Sequence, residues 1–278
     1  MRSTIYRFGF LLGVAGCSWG SLISLEDFET YPSAAPLAGL NGGTGWSGGW
    51  TTAGTGTYQV IDGGLSYSAG EISVGGGSKA LSLSFPNNLI EVIANRPLPA
   101  QTGTLYMSLL YRNAIDNTPA VSPDFFQAGF LPTSENPAMS VLDRDGTFQV
   151  RAGTAPTGSQ DTGINSDVGT TYFLVLKMEN TTGGAAYDTA HIFVNPTFLS
   201  EGLNSSTSST LNDALDLSGS AVFNIRRAFQ EAGDTYHVDA LRIGTSFGDV
   251  VSAIPEPNTW VLVLLGMLLL ARRTIARA

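Results

Sequence analysis

The chain has 278 residues, of which 43% are hydrophobic and only 13% are charged, and its formal net charge is −9. The stretch from Glu26 to Glu256 holds all 23 acidic residues but only nine of the 14 basic ones. We therefore exclude nucleic acid as a partner, because binding phosphate requires a basic face. The single cysteine, Cys17, excludes an intramolecular disulfide.

Residues 1–20 have the pattern of a secretory signal peptide, which predicts an N-terminal signal helix. Two arginines precede the short apolar core Phe8–Gly16, and Ser18–Gly20 supplies a small-x-small cleavage site, so the mature chain begins near Ser21. The segment Val14–Cys17 also resembles a lipobox, in which Cys17 would be acylated. We favour simple cleavage, since a lipid would duplicate a C-terminal anchor. The alternative stays open.

Residues 21–250 are predicted to form one all-β domain. Apolar residues recur with a period of two, and Gly, Pro, Asn, Asp and Ser separate the alternating segments. Without alternating strands and helices, such a chain is expected to form a two-sheet antiparallel sandwich. The predicted strands are Glu26–Thr30, Tyr58–Ile61, Leu65–Ser68, Ala80–Phe85, Thr104–Arg112, Phe125–Leu131, Ala138–Leu142, Thr147–Arg151, Tyr172–Glu179, Thr189–Val194, Ala221–Arg226 and Tyr236–Ile243.

Turn signals predict two hairpins within this domain. Asp145-Gly146 joins the seventh predicted strand to the eighth, and Asn180–Gly184 turns the ninth back onto the tenth. The segment Ser200–Ser220, rich in Ser, Thr and Asn, is predicted to be a long exposed loop. We expect a turn or two of helix at Asn212–Leu217 and at Ser246–Val251.

Residues 251–278 begin with a stiff stalk. Pro255 and Pro257 fix their own φ angles and push the residues before them toward extended geometry. Glu256 between them is therefore expected to be exposed and accessible to another protein.

An uncharged run and an arginine cluster follow this stalk. The uncharged residues 258–271 number 14, whereas a stable membrane-spanning helix needs roughly 20, so a plain anchor is disfavoured and a transient C-terminal transmembrane helix is predicted. Arg272 and Arg273 are expected to stay cytoplasmic by the positive-inside tendency. The preceding domain would then lie outside the inner membrane.

This order of stalk, apolar run and arginines resembles the PEP-CTERM sorting signal of Gram-negative bacteria. The resemblance implies that an exosortase-type processing enzyme in the membrane recognises Pro255–Pro257 and cleaves the tail. It further implies export across the inner membrane and at least transient membrane anchoring. After processing, the protein would belong to the cell envelope or the extracellular space.

Three further stretches resemble exported PEP-CTERM proteins with a concanavalin A-like (lectin/glucanase or laminin-G-like) jelly-roll ectodomain. They are Leu25–Tyr31, the glycine- and tryptophan-rich segment Gly45–Trp50 with Gly63–Tyr67, and Tyr236–Gly244. The resemblance implies that the first and last strands of the domain are neighbours. Such short motifs support an inference about fold better than an inference about function.

The sequence predicts a protein that is not an enzyme. Glucanases of this fold place carboxylates on alternate residues of one strand as Glu-x-Asp-x-Glu, because retaining hydrolysis needs a close pair of carboxyl groups. No such triplet occurs here, since Phe28 stands two positions after Glu26 and Asp143–Gly146 suits a hairpin. No nucleophile motif lies near His191 or His237.

Ligand binding is the main alternative to an inert surface component. Trp46, Trp50, Tyr58 and Tyr67 could present rings to sugars, although we favour their burial in the sandwich core. We thus predict a non-enzymatic surface or extracellular-matrix protein. The alternatives are a carbohydrate-binding, lectin-like module that contacts surface glycans and, third, a glycosidase.

The jelly-roll resemblance also implies a structural Ca²⁺ ion between the terminal strands. Asp239 would supply one ligand, and Glu29 or Asp27 of the N-terminal strand would supply another. Carboxylate oxygens are the hard ligands that Ca²⁺ prefers. Solvated carboxylates at strand ends are the alternative explanation for the same residues.

Overall fold

The computed structural model describes residues 21–85, 91–116, 125–131, 139–153, 158–184, 186–228 and 232–252, without the side chains of 211–214. The predicted signal peptide, with Cys17, and the sorting residues Pro255, Glu256, Pro257, Arg272 and Arg273 lie outside these ranges. Both terminal helices therefore stay predictions. Within the described ranges, no helix has the length and apolar character needed to cross a membrane.

The first sheet has eight strands in the order β15-β14-β13-β8-β17-β6-β3, with β1 also paired to β17. Every neighbouring pair is antiparallel. Its strands are β1 (Leu22–Glu26), β3 (Thr57–Asp62), β6 (Lys79–Ser84), β8 (Leu105–Ile115), β13 (Thr171–Glu179), β14 (Tyr187–Val194), β15 (Thr207–Leu215) and β17 (Thr235–Gly244).

The second sheet has seven strands in the order β12-β11-β10-β9-β16-β7-β2, again all antiparallel. They are β2 (Thr51–Ala53), β7 (Val92–Leu98), β9 (Phe125–Leu131), β10 (Met139–Arg144), β11 (Thr147–Ala152), β12 (Ser159–Asn165) and β16 (Ala221–Ala228). A separate hairpin pairs β4 (Ser66–Ala69) with β5 (Ile72–Gly75), and α1 covers Phe247–Val251.

The predicted all-β, two-sheet antiparallel jelly-roll sandwich is confirmed. Its main core lies between the two sheets, where alternate residues of each strand meet. A second core lies on the outer side of the first sheet, beneath the β4–β5 hairpin and α1. The first and last strands are neighbours, as the jelly-roll resemblance implies, with Leu25 opposite Arg242. Both predicted hairpins are also present, joining β10 to β11 and β13 to β14.

The strand predicted at Glu26–Thr30 is wrong in its bounds, because β1 ends at Glu26. There the Glu26 carboxylate accepts a hydrogen bond from the N–H of Phe28 at 3.0 Å. Phe28 adopts a positive φ of 60°, which turns the chain away from the ladder. Local capping by an acidic side chain thus overrides the alternation of apolar residues.

The loop predicted at Ser200–Ser220 and the helical turn predicted at Asn212–Leu217 are also wrong. After a 3₁₀ turn at Glu201–Leu203, the chain forms β15, which pairs with β14 at the edge of the first sheet. An edge strand has one partner and can present polar side chains to solvent, so it lacks the apolar alternation of a central strand. The predicted turn at Ser246–Val251 is confirmed as α1, whose Ser246 and Asp249 form a capping box.

Candidate functional site

An open groove of about 400 Å³ lies at one edge of the sandwich, where β12 of the second sheet faces β14 and β15 of the first. Thr162 and Ile164 of β12 line it on one side, and Ile192 and Val194 of β14 line it on the other. The segment 195–207, which connects β14 to β15, completes the lining. Strands β12 and β14 and this connection therefore build the groove together.

The groove is uncharged. None of the described residues that line it has an ionisable side chain, although the whole chain carries a formal charge of −9. Three apolar side chains in the lining are exposed, namely Ile164 at 41%, Phe198 at 40% and Leu203 at 64%. Ser205 and Ser206, which carry hydroxyl groups, belong to the same lining. The groove thus combines apolar surface with neutral hydrogen-bonding groups, the usual composition of small-molecule sites.

Asn204 fixes the shape of the connecting segment from within. Its side-chain oxygen accepts hydrogen bonds from the N–H groups of Thr197 and Phe198 at 2.9 and 3.1 Å. Its amide nitrogen donates to the carbonyls of Phe198 and Ser200 at 2.8 and 3.0 Å. Four bonds from one side chain hold the backbone on both sides of Phe198, so the attachment point of this ring is defined.

The β4–β5 hairpin holds the same segment from behind. The Tyr67 hydroxyl donates to the carbonyl of Pro196 at 3.0 Å, and the N–H of Glu71 donates to the carbonyl of Thr197 at 2.7 Å. The Glu71 carboxylate accepts from the N–H of Leu199 at 3.0 Å. These contacts join the second core to the back of the groove.

Glu201 anchors the 3₁₀ turn to the face of the first sheet. Its carboxylate accepts from the Tyr106 hydroxyl at 2.7 Å and lies 3.0 Å from the Lys177 ammonium, which also contacts Glu179 at 2.9 Å. Burial alone would lower the pKa of Lys177, but hydrogen bonds to Glu179 and Glu201 raise it above its usual value. His191 extends this network, since its Nε2 lies 2.8 Å from Glu179. The groove is therefore preorganised before any ligand arrives.

The structure brings the three predicted calcium ligands into electrostatic reach of one another. Asp239 is fully buried and accepts hydrogen bonds from the N–H groups of Leu65 at 2.8 Å and Ala240 at 2.7 Å. The pKa of Asp239 is raised to about 7, mainly by burial; the charges of Glu29 and Asp27 also raise it, and the two backbone hydrogen bonds act in the other direction. Loss of water is thus the dominant effect at this carboxylate.

The other two carboxylates are already used by the fold. Glu29 accepts from the N–H groups of Ser78 and Lys79 at 2.6 and 2.7 Å, and Asp27 accepts from the N–H of Glu29 at 3.2 Å. In the part of the chain that the structure covers, no group of three Asp, Glu, His or Cys side chains is arranged to hold a metal ion. A calcium site built from Asp239, one further carboxylate and backbone oxygens stays a prediction.

The aromatic residues considered for sugar binding take part in packing. Trp50 and Tyr58 are buried in the main core, and Trp46 packs against it and donates from Nε1 to the carbonyl of Leu25 at 3.0 Å. Tyr67 is half-buried and its hydroxyl is bonded to Pro196. These four rings therefore stabilise the sandwich, in agreement with the interpretation that we favoured.

Asp143 and Asp145 occupy opposite environments, as the predicted hairpin requires. Asp143 is buried, and its carboxylate accepts from the hydroxyls of Tyr111 and Ser166, both at 2.5 Å. Burial raises its pKa, although the two hydroxyl bonds act in the other direction. Asp145 lies exposed in the turn with a φ of 51°. The two carboxyl groups therefore do not face one substrate.

The two histidines are likewise ordinary strand residues. His191 pairs with Glu179, as described above, and lies opposite Lys177 in the ladder. Burial, together with the nearby charge of Arg112, lowers the pKa of His237 to about 4. His237 is therefore neutral at pH 7, and its place in the central strand β17 is explained by packing alone.

Sequence reasoning missed the groove because its residues come from two segments, 162–164 and 192–207, that are separate in sequence. The polarity of the segment 200–220 led to the prediction of a loop. Phe198-Leu199, two large apolar residues next to a run of Ser, Thr and Asn, is the signal that could have indicated a surface site.

No family model matches the sequence, and no curated protein matches it. Among solved structures, the chain is similar to peanut lectin in complex with a nine-residue peptide, at 9% identity and a TM-score of 0.42, over 70% of this chain and 97% of the lectin. It is also similar to the carbohydrate recognition domain of Emp47p, at 10% identity and a TM-score of 0.42, over 79% and 96% of the two chains.

A third similarity is to an arabinose-bound α-L-arabinofuranosidase, at 11% identity and a TM-score of 0.41. It covers 82% of this chain but only 27% of that enzyme. None of these three similarities identifies a ligand or an activity for this chain.

Proposed function

We propose that this chain is an exported, non-enzymatic β-sandwich protein that binds carbohydrate at the surface or in the extracellular matrix of a Gram-negative-type bacterium. The observation that carries the proposal is the preorganised, uncharged groove between β12, β14 and the segment 195–207. Sugars present both hydroxyl groups and apolar C–H surface, and the groove offers partners for both. Its fixed backbone reduces the entropy lost on binding.

The position of the carboxylates favours binding without hydrolysis. On the outward face of the second sheet, no strand in its described residues carries two carboxylates at alternate positions. Glycoside hydrolysis by the usual routes needs two carboxyl groups on either side of the scissile bond. The purified chain should therefore release no reducing ends from β-glucans, galactans or chitin.

The sorting proposal rests on the tail. The order of Pro255–Pro257, the uncharged run and the arginines supports recognition by an exosortase-type enzyme at the inner membrane. Delivery to the envelope would place the carbohydrate-binding groove where surface glycans occur. Calcium is a secondary proposal, supported by the buried carboxylate of Asp239.

A glycan-array screen of the purified chain tests the central proposal. We expect binding to a subset of saccharides without any accompanying cleavage. A chain that binds no member of a broad array would instead be an inert structural component of the surface layer. Hydrolysis that persists after Asp143 and Asp145 are both replaced by Asn would show that another acid/base pair exists.

A further inference from the structure

We propose that the groove between β12 and the segment 195–207 selects neutral saccharides, with the Phe198 ring as the platform on which a sugar ring lies. This inference rests on the proposed carbohydrate-binding function and assigns it a site and a ligand class. A pyranose has one largely apolar face and a rim of hydroxyl groups, and aromatic rings are suited to cover such a face.

The positions of the apolar side chains fit this ligand. Phe198, Leu203 and Ile164 are the exposed apolar members of the lining, and they come from a loop, a 3₁₀ turn and a strand. Ser205 and Ser206 belong to the same lining and have hydroxyls that can donate and accept. A ligand that is apolar throughout would leave these hydroxyls without partners, which costs free energy and disfavours aliphatic chains.

The absence of charge gives the selectivity. A carboxylate or sulfate on a sugar would lose water on entering the groove, and no ionisable residue among the described lining would compensate it. The side chains that hold this segment from behind, Glu71 and Glu201, are themselves carboxylates and would repel an anionic ligand. Of the two, Glu201 is paired with Lys177. The groove thus disfavours charged saccharides because it offers their charged groups no partner.

Isothermal titration of the purified full chain tests this proposal. The probes are neutral oligosaccharides that bind on the array and their uronic-acid counterparts of equal linkage and length. Phe198→Ala should weaken neutral binding about ten-fold, since a lost ring contact is worth roughly 1.4 kcal/mol. Leu199→Ala is the matched control, because Leu199 is 45% exposed in the same loop but does not line the groove. It should change affinity less than about two-fold, and both variants should melt at the wild-type temperature.

The possible failures are separable. Saccharide binding that is unchanged in Phe198→Ala and also in Leu203→Ala would place the ligand elsewhere and overturn this inference, while the proposed function stands. Equal affinity for uronic-acid probes would overturn the selectivity for neutral sugars. No saccharide binding by the wild-type chain would remove the proposed function and this inference together.

Discussion

Arg96 donates to the carboxylate of Glu26 at a point where both side chains are completely buried. The guanidinium also lies over the rings of Trp46 and Trp50, 4.5 and 5.3 Å from their centroids. This ion pair joins β7 of the second sheet to the end of β1 in the first. It explains how a strand can carry an arginine inside the sandwich.

Removing one partner of this pair should destabilise the sandwich strongly. Glu26→Ala leaves the buried charge of Arg96 without compensation, and we expect a loss of about 3–5 kcal/mol in the free energy of unfolding, measured with urea. Arg144→Ala, at the partly exposed pair with Asp145, should cost less than about 1 kcal/mol. Replacing both Glu26 and Arg96 by Met should recover only part of the loss, because Phe28 and Tyr31 also lose their acceptor. Equal effects of the buried and exposed changes would contradict this prediction.

The buried carboxylate of Asp239 should make stability depend on pH. Its pKa is about 7 in the fold and roughly 3.9 in the unfolded chain, so the folded state holds the extra proton between these values. The contribution of Asp239 to stability is therefore largest below about pH 4 and falls as the pH rises to about 7, by up to about 4 kcal/mol. Asp239→Asn should remove this fall in chelator-treated protein, as measured by urea unfolding at pH 4.5 and pH 8.

Calcium should oppose the same loss at high pH. If Asp239 binds Ca²⁺ with a second carboxylate, adding Ca²⁺ at pH 8 raises the melting temperature of the wild type by mass action. The Asp239→Asn variant should not respond. A wild-type melting curve that is indifferent to both Ca²⁺ and chelator would remove the calcium hypothesis and leave protonation as the only role of this site.

Glu201 should position the groove without contributing much to global stability. Glu201→Ala breaks two partly buried contacts, to Tyr106 and Lys177, outside the main core, so the melting temperature should change by only a few degrees. Affinity for the bound saccharide should fall several-fold, because the 3₁₀ turn loses its anchor. Glu201→Gln keeps an acceptor for Tyr106 and should recover part of the affinity. Equal affinities for the wild type and Glu201→Ala would exclude this role.

Glu256 should decide processing of the tail. In a host that has the exosortase-type enzyme, Glu256→Ala should leave the tail attached, because the residue held between Pro255 and Pro257 is the proposed recognition feature. The mass of the mature C-terminus measures this. Retention of Arg277 in both proteins, or its loss from both, would show that the motif does not direct cleavage.

The strands that sequence analysis located correctly are those in which burial alone determines the pattern. In β13, for example, long-range packing and local alternation agree, and its predicted and observed bounds differ by one residue. The strand β7 was missed because Arg96 and Pro97 interrupt its apolar pattern, and only the distant Glu26 explains the buried charge. Edge strands β12 and β15 were missed because one-sided pairing removes the need for alternation.

The candidate site was predictable only in part, for a related reason. The proximity of Asp239 to Glu29 and Asp27 followed from placing the terminal strands side by side. The groove depends on the meeting of β12 of the second sheet with β14 and β15 of the first, and no local pattern encodes this meeting. Sites formed by residues far apart in sequence require the tertiary structure.

The central place of β17 has a consequence for the order of folding. This strand lies between β8 and β6 and also pairs with β1, although it is the last strand of the domain to be synthesised. Until Gly244 has been made, β6, β8 and β1 lack their shared partner, and the first sheet is incomplete at its centre. Contacts between such distant segments form slowly. We therefore expect that a nascent chain of this protein cannot form its complete first sheet until translation of its domain is almost finished.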